Sequence, residues 1–153
     1  MTASRGPRRR ARETVFRLLY QSELTRDSVA AAWKAGADDD GLPGEARAYV
    51  DELVRVLEDH AAALDLTISG ALEHWNFDRL AATDKSVLRL ATAELAHLRG
   101  TPARVILDEA VDLARRFGRE ESGRFVNGVL DRLARELRPG ELDASPDGME
   151  ERA

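Results

Sequence analysis

The most concentrated chemistry in this sequence is a run of arginines near its start. Residues 1–12 contain five arginines and no acidic residue, although the 153-residue chain carries a formal net charge of -5. Guanidinium groups form bidentate hydrogen bonds with phosphate and stack on bases, and positive charge at a helix N-terminus opposes the helix macrodipole. The run therefore favours contact with a polyanion, and with RNA in particular. The candidate residues are Arg8, Arg9, Arg10 and Arg12. The alternative is that the arginines have no functional meaning and reflect a GC-rich genome, since the chain has 21 Arg and 2 Lys.

A second candidate for phosphate or base binding lies where the chain turns into its last predicted helix. The Ser122 hydroxyl and the free backbone N–H groups there suit a phosphate. Arg124 and Phe125 follow directly and suit stacking against a base. Phe125 also continues the apolar stripe formed by Val129 and Leu133, so burial in the core explains it equally well. Both interpretations of Phe125 stay open.

Residues for catalysis or metal binding are sparse. The chain has no cysteine, and its three histidines are far apart in sequence and lack an H-E-x-x-H spacing. It also lacks a G-x-S-x-G elbow and a phosphate-binding G-x-x-x-x-G-K-[ST] loop. Asp108 and Asp112 share a helix face, which is more often a solvated surface than a cation site. The sequence therefore predicts a protein that is not an enzyme, with no cofactor and no metal.

The sequence predicts that these residues lie on helices. Apolar residues recur at helical spacing, and no segment alternates apolar and polar residues over a length sufficient for a strand. We expect an all-α fold of about seven helices in two packed bundles. One domain would span residues 1–138, with an N-terminal bundle over about 8–64 and a C-terminal bundle over about 67–138. Residues 139–153 read as a disordered acidic tail. Further expectations are one long helix over 45–64, a shorter helix over 68–75, an exposed loop over 36–44 and a left-handed helix stop at Gly118.

Location is indicated by what the sequence lacks. No run of about 18 apolar residues is present to span a membrane, and the basic start is not followed by the apolar stretch of a signal peptide. We therefore expect a cytoplasmic protein without membrane contact.

Three blocks of sequence resemble a known family. The first is R-R-R-A-R-E at residues 8–13 with L-Y at 19–20, and the second is D-K-S-V-L-R-L-A-x-x-E-L at 84–95. The third, at 106–131, is I-L-D-E-A-V-D-L-A-R-R-F-G-x-E-x-S-x-x-F-V-N-G-V-L-D. In order, spacing and length they resemble the bacterial transcription antitermination factor NusB family over about residues 8–139. The third block is the most specific, because helical periodicity alone does not produce F-V-N-G-V-L-D.

This resemblance implies a seven-helix fold and a non-enzymatic role. Members of the family bind the boxA element of ribosomal RNA transcripts jointly with NusE, a ribosomal protein, and assemble with NusA, NusG and RNA polymerase. By matching position, the RNA-binding residues would be Arg8, Arg9, Arg10, Arg12, Ser122, Arg124 and Phe125. The residues facing NusE would be Tyr20, Asp84, Lys85 and Arg89.

Two alternatives from other classes remain. One is a helical RNA-binding domain like those appended to some RNA methyltransferases. The other is a helical protein-interaction scaffold or homodimer that does not bind RNA directly, in which the arginines face an acidic partner.

Overall fold

Seven α helices make up the fold in the computed structural model, which describes residues 6–36 and 41–144. No strand occurs among these residues, so the predicted all-helical class is confirmed. The helices are α1 (Pro7–Thr25), α2 (Val29–Lys34), α3 (Gly44–Asp59), α4 (Ala61–Ala71), α5 (Ala82–His97), α6 (Ala103–Phe117) and α7 (Ser122–Leu137), with short 3-10 turns at Phe77–Arg79 and Leu142–Ala144.

Helix α5 lies at the centre of the packing. It contacts α1, α3, α4, α6 and α7, while α1 also packs on α3 and α6 packs on α7. Its apolar residues face several neighbours at once, so Leu88, Leu90 and Leu95 are almost completely buried. The start of α1 also lies close to α6, because Arg9 of α1 forms an ion pair with Asp112 of α6.

The chain breaks its helix at His60, where the sequence predicts one continuous helix over 45–64. His60 has φ -124° and ψ 20°, and α4 begins at the next residue. The break redirects the apolar stripe, because Leu64 and Ile68 of α4 are buried where α4 packs on α5 and α7. Neither Pro nor Gly marks this position, so the sequence offers no local signal for it. The predicted helix over 68–75 is the end of α4, which stops at Ala71.

The segment after Pro139 departs from the predicted disordered tail at its start. The Glu141 carboxylate accepts a hydrogen bond from the Ala103 backbone N–H at the N-terminus of α6, 2.6 Å away, and Leu142 is buried. A carboxylate at a helix N-terminus is favoured by the macrodipole, which fixes this turn to the fold. The remainder of the predicted tail, residues 145–153, lies outside the described residues, as do residues 37–40 of the predicted loop.

Arg138 is a buried charged residue that caps the C-terminus of α5. Its guanidinium donates hydrogen bonds to the carbonyl oxygens of Glu94, Leu95 and Leu98 at 3.0–3.1 Å, and to that of Thr101. The Leu95 carbonyl is one of those that a helix C-terminus leaves without an intrahelical partner. Arg138 therefore terminates α5 from the far end of α7.

Among residues 6–36 and 41–144, no helix is both long and apolar enough to cross a membrane.

Candidate nucleic-acid interface

The first turn of α1 carries Arg8, Arg9 and Arg10, which we call the arginine row. Pro7 occupies the first helical position, where its missing N–H costs nothing, and the Gly6 carbonyl accepts the Arg10 N–H at 3.0 Å. Arg8 is exposed, and Arg9 and Arg10 are partly exposed. The row therefore forms a cationic surface at the tip of the helix.

Arg8 is oriented by contacts with Thr101 and Tyr49. Its Nη1 donates to the Thr101 hydroxyl at 3.1 Å, and its guanidinium lies 4.7 Å from the centre of the Tyr49 ring. Stacking on an aromatic ring orients the guanidinium plane and leaves its other face open. Arg8 thus reaches solvent in one preferred orientation.

Arg12 lies in the interior, which departs from its predicted contact with RNA. It is 4% exposed, and its guanidinium binds the Glu94 carboxylate through Nε at 2.8 Å and Nη2 at 2.9 Å. Helical geometry gives the reason, because residues 8 and 12 share the face of α1 that packs on α3 and α5. With its Nε–Nη2 edge bound to Glu94, Arg12 is placed to stabilise the packing of α1 on α5.

Tyr49 forms a buried cluster with Arg12 and Glu94. Its hydroxyl donates to Glu94 Oε1 at 2.6 Å and lies 3.3 Å from the Thr101 hydroxyl. Burial and the neighbouring Glu94 carboxylate raise the pKa of Tyr49 to about 12. Burial alone would lower the pKa of Arg12, but hydrogen bonding and charge attraction to Glu94 leave it raised. The cluster therefore holds a charged pair and a neutral phenol.

Arg9 points sideways onto α6. Its Nη2 lies 2.7 Å from Asp112 Oδ2, and its Nε lies 3.6 Å from Glu109 Oε1. Arg116 also reaches Asp112, at 3.2 Å, and binds Glu13 at 2.9 Å. The start of α1 is thus fastened to α6 by ion pairs at the protein surface.

A groove of about 920 Å³ runs between α6 and α7, next to these ion pairs. Its lining includes four carboxylates and two arginines, namely Asp108, Asp112, Glu120, Glu121, Arg115 and Arg124, together with Asn127. Arg124 is exposed. Because Asp112 lines the groove and also binds Arg9, the arginine row and Arg124 belong to one continuous surface.

Ser122 is buried, unlike an open phosphate site. It is 2% exposed, and its Oγ accepts the backbone N–H of Arg119 at 2.9 Å. Gly118 makes this turn possible, because a Cβ at that position would lie 2.6 Å from Ser122 Oγ. Gly118 has φ -101°, so its role is close approach and not the predicted left-handed stop. Ser122 therefore shapes the start of α7.

Phe125 is half-buried and borders a small cleft. It packs against the core, and the Trp75 ring meets it edge-on with the ring centres 5.9 Å apart. The cleft, of about 220 Å³, is also lined by Arg79, Arg119 and Asp84. Sequence reasoning missed Trp75, which is 61% exposed, although an isolated Trp between two helices is itself a signal.

Asp84 is a half-buried residue in the lining of this cleft. Burial raises the pKa of Asp84, as does the charge of Glu121, whereas the Ser122 hydroxyl and the charge of Arg119 oppose the rise. One carboxylate oxygen, Oδ1, is buried without a hydrogen-bond partner among the described residues. Asp84 thus lines the same cleft as Phe125 and Ser122.

Tyr20 marks a separate aromatic patch formed with Phe117. Tyr20 is 39% exposed and Phe117 is 41% exposed, and both rings stack on Phe16, with centroid distances of 6.2 and 5.0 Å. A cavity of about 440 Å³ beside them is also lined by Thr83, from the start of α5. Helical spacing alone places Phe117 on the apolar stripe of α6, so the sequence does not reveal its exposure.

Lys85 and Arg89 are turned inward into ion pairs. Lys85 Nζ and Arg89 Nη1 each lie 2.7 Å from the Glu23 carboxylate, and Arg89 also binds Asp65 at 2.9 Å. Burial opposes the charge on Arg89, but hydrogen bonds to Asp65 and Glu23 leave its pKa raised. These two residues join α1, α4 and α5 and are not free for a partner.

Two histidines that are far apart in sequence meet in the fold. The rings of His60 and His97 stack with their centres 4.0 Å apart. Burial and the charge of His60 lower the pKa of His97. Throughout the described part of the chain, no group of three or more His, Cys, Asp or Glu side chains is placed to hold a metal ion.

Comparison with known proteins identifies the family that has this fold and surface. The sequence profile of the NusB family matches residues 9–135, which is most of the chain. The chain belongs to the NusB family. Its resemblance to NusB in the three sequence blocks is thereby confirmed.

Curated relatives and solved structures agree with this assignment. The NusB transcription antitermination protein of Deinococcus deserti is 44% identical over 140 residues, which cover 86% of this chain and 83% of the relative. That of Thermotoga maritima is 40% identical over 135 residues, covering 88% and 95%. The structure of T. maritima NusB aligns with a TM-score of 0.82 at 39% identity, covering 89% and 96% of the two chains.

A further crystal structure contains antitermination factors NusB and NusE in complex with double-stranded RNA. It aligns with a TM-score of 0.77 at 29% identity, covering 85% of this chain and 97% of that one. Together these matches make the chain a transcription antitermination factor of the NusB type.

Proposed function

We propose that this chain binds boxA-bearing RNA of ribosomal RNA transcripts jointly with the ribosomal protein NusE. In the cytoplasm it would then help to assemble the antitermination complex with NusA, NusG and RNA polymerase. The observation that carries the proposal is the single surface on which the arginine row and Arg124 meet, at the groove between α6 and α7. A similar fold occurs in a NusB that was crystallised with NusE and RNA, which supports the choice of ligand.

Within this surface we assign phosphate contacts to the arginine row and Arg124. Arg8 offers an open guanidinium face, and Arg10 makes no side-chain hydrogen bond or ion pair with the described residues. Base contacts would fall to the Trp75 and Phe125 cleft, where aromatic faces accept an unstacked base. Arg12 and Ser122 are left out of the interface because both are buried and engaged.

The aromatic patch of Tyr20 and Phe117 is the surface we assign to NusE. Exposed aromatic side chains are the residue type that most often anchors a protein interface. The patch lies at the middle of α1 and the end of α6, beyond the arginine row, so a protein seated there leaves the row open to RNA. Joint binding would then combine the binding free energies of two surfaces, so that the joint affinity exceeds either affinity alone.

Salt dependence tests the phosphate contacts. If Arg8, Arg9, Arg10 and Arg124 each neutralise one phosphate of a single strand, the slope of log K against log salt is about -2.8. Affinity then falls about fiftyfold between 50 and 200 mM salt. Binding by the chain alone would be weak in a cell, which fits a requirement for NusE.

The experiment is a titration of boxA-bearing RNA, and of a scrambled RNA of equal length, with and without NusE. The triple change Arg8→Ala, Arg9→Ala, Arg10→Ala should weaken binding strongly and reduce the slope to about -0.7, the value for Arg124 alone, while helical circular dichroism is kept. Arg55→Ala removes an exposed arginine from α3 and serves as the control. If the triple variant keeps its affinity and slope, the assignment is wrong. If the wild-type chain self-associates in sedimentation and shows no RNA binding in the titration, the scaffold or homodimer alternative is correct.

A further inference from the structure

One arginine of the row already has an anionic partner on the protein. Arg9 Nη2 lies 2.7 Å from Asp112 Oδ2, and Glu109 lies 3.6 Å from Arg9 Nε. The exposed fractions of the Arg9 and Asp112 side chains are 25% and 37%. An ion pair this accessible to water exchanges its partners readily, because solvent screens it and little free energy holds it.

Asp112 lies between two arginines. Arg116 binds Asp112 Oδ2 at 3.2 Å, and Arg9 binds the same oxygen at 2.7 Å. The Asp112 carboxylate therefore lies where a phosphate must approach Arg9. A phosphate that binds there has to displace Asp112 and stay close to it, and like charges at short distance oppose binding.

The position of Asp112 also indicates that it opposes phosphate binding. Asp112 lines the groove that also contains Arg124, so it lies between the two cationic parts of the proposed RNA surface. The other members of the row differ, because Arg8 contacts a neutral ring and a hydroxyl. Competition from a carboxylate is therefore specific to Arg9.

We propose that Asp112, assisted by Glu109, sets the RNA affinity of this chain by competing with RNA phosphate for Arg9. The inference rests on the proposed function, because it concerns the same RNA surface. Because of this competition, the chain binds a phosphate backbone only weakly. Stable binding then requires contacts that a backbone alone does not supply, such as bases in the cleft or a second protein on the same RNA.

The test is Asp112→Asn, which keeps the size of the side chain and removes its charge. Its affinity for boxA-bearing RNA, and for a scrambled RNA of equal length, should rise about threefold to tenfold at 50 mM salt. The gain should shrink at 200 mM salt, because solvent-exposed charges are screened. A gain in affinity does not arise from misfolding, so the sign of the change is informative.

Two controls separate this mechanism from a simple change of net charge. Asp143→Asn neutralises another arginine-paired carboxylate, 3.0 Å from Arg135 and away from the groove, and should leave affinity unchanged. In the double variant Arg9→Ala, Asp112→Asn, the gain should vanish, because it acts through Arg9. The proposal is overturned if Asp112→Asn binds no tighter than Asp143→Asn, or if the gain persists without Arg9. If the triple arginine variant binds RNA as well as wild type, the proposed function itself fails.

Discussion

Glu94→Gln should destabilise the fold more than any surface charge change, because Glu94 is 1% exposed and is the only carboxylate that Arg12 binds among the described residues. Glu94 accepts hydrogen bonds from Arg12 Nε and Nη2 and from the Tyr49 hydroxyl at 2.6–3.1 Å. Glutamine keeps one acceptor and turns an NH₂ group toward the guanidinium. The variant therefore leaves a buried cation without its counter-charge.

The magnitude follows from the behaviour of buried ion pairs. Removing one partner of such a pair costs about 3–5 kcal/mol, because the other charge stays desolvated and uncompensated. In a domain of this size each kcal/mol lowers the melting temperature by about 2–4 °C, so the total loss is roughly 6–20 °C. Burial sets this value, because exposed pairs contribute about 0–1 kcal/mol.

Urea unfolding followed by circular dichroism at 222 nm provides the measurement. Asp131→Asn is the matched control, since Asp131 pairs with Arg135 at 3.0 Å on the exposed side of α7 and should cost less than about 1 kcal/mol. The double variant Arg12→Met, Glu94→Leu should recover most of the loss, because apolar groups of similar volume replace a buried pair at little cost. The reasoning is refuted if Glu94→Gln is no more destabilising than Asp131→Asn.

Two further predictions concern single positions. Gly118→Ala should cost about 1–3 kcal/mol in urea unfolding, because its Cβ would lie 2.6 Å from Ser122 Oγ. Gly128→Ala, with open space around the Cβ, should instead stabilise α7 by about 0.5–1 kcal/mol, and equal effects would contradict the packing argument. Because the pKa of Tyr49 is raised to about 12, the free energy of unfolding should fall as pH rises from about 10 to 12. Tyr49→Phe should flatten that fall in urea midpoints at pH 8, 10 and 11.5, and an identical pH dependence in both proteins would contradict the assignment.

Sequence patterns predicted the elements whose signals are local. Helix α7, at Ser122–Leu137, is readable from the sequence because its apolar stripe is regular and Pro139 and Gly140 follow. The break at His60 was missed, because tertiary packing redirects the chain there and no helix-breaking residue marks it. Periodicity therefore determines which face of a helix is apolar more reliably than where a helix changes direction.

Charged residues in the interior were not predictable in the same way. Arg12 binds Glu94 across 82 residues, and Arg138 reaches the Leu95 carbonyl across 43. A sequence shows that these side chains are charged, whereas their burial depends on a partner that only the folded chain brings close. The same reason explains why Lys85 and Arg89, expected to face a protein, are paired with Glu23 instead.

The arginine run at the start of α1 serves two purposes because a helix turns by about 100° per residue. Arg8 and Arg12 are four residues apart and share one face, so both lie against Tyr49, and Arg12 is buried there with Glu94. Arg9 falls on the face toward α6, where Asp112 meets it. Arg12 thus anchors the turn that presents the rest of the row, and Arg8 shares the ring and the Thr101 hydroxyl of that anchor. Loss of the buried carboxylate at Glu94 should therefore weaken RNA binding as well as stability, even though Glu94 itself lies too deep to touch RNA.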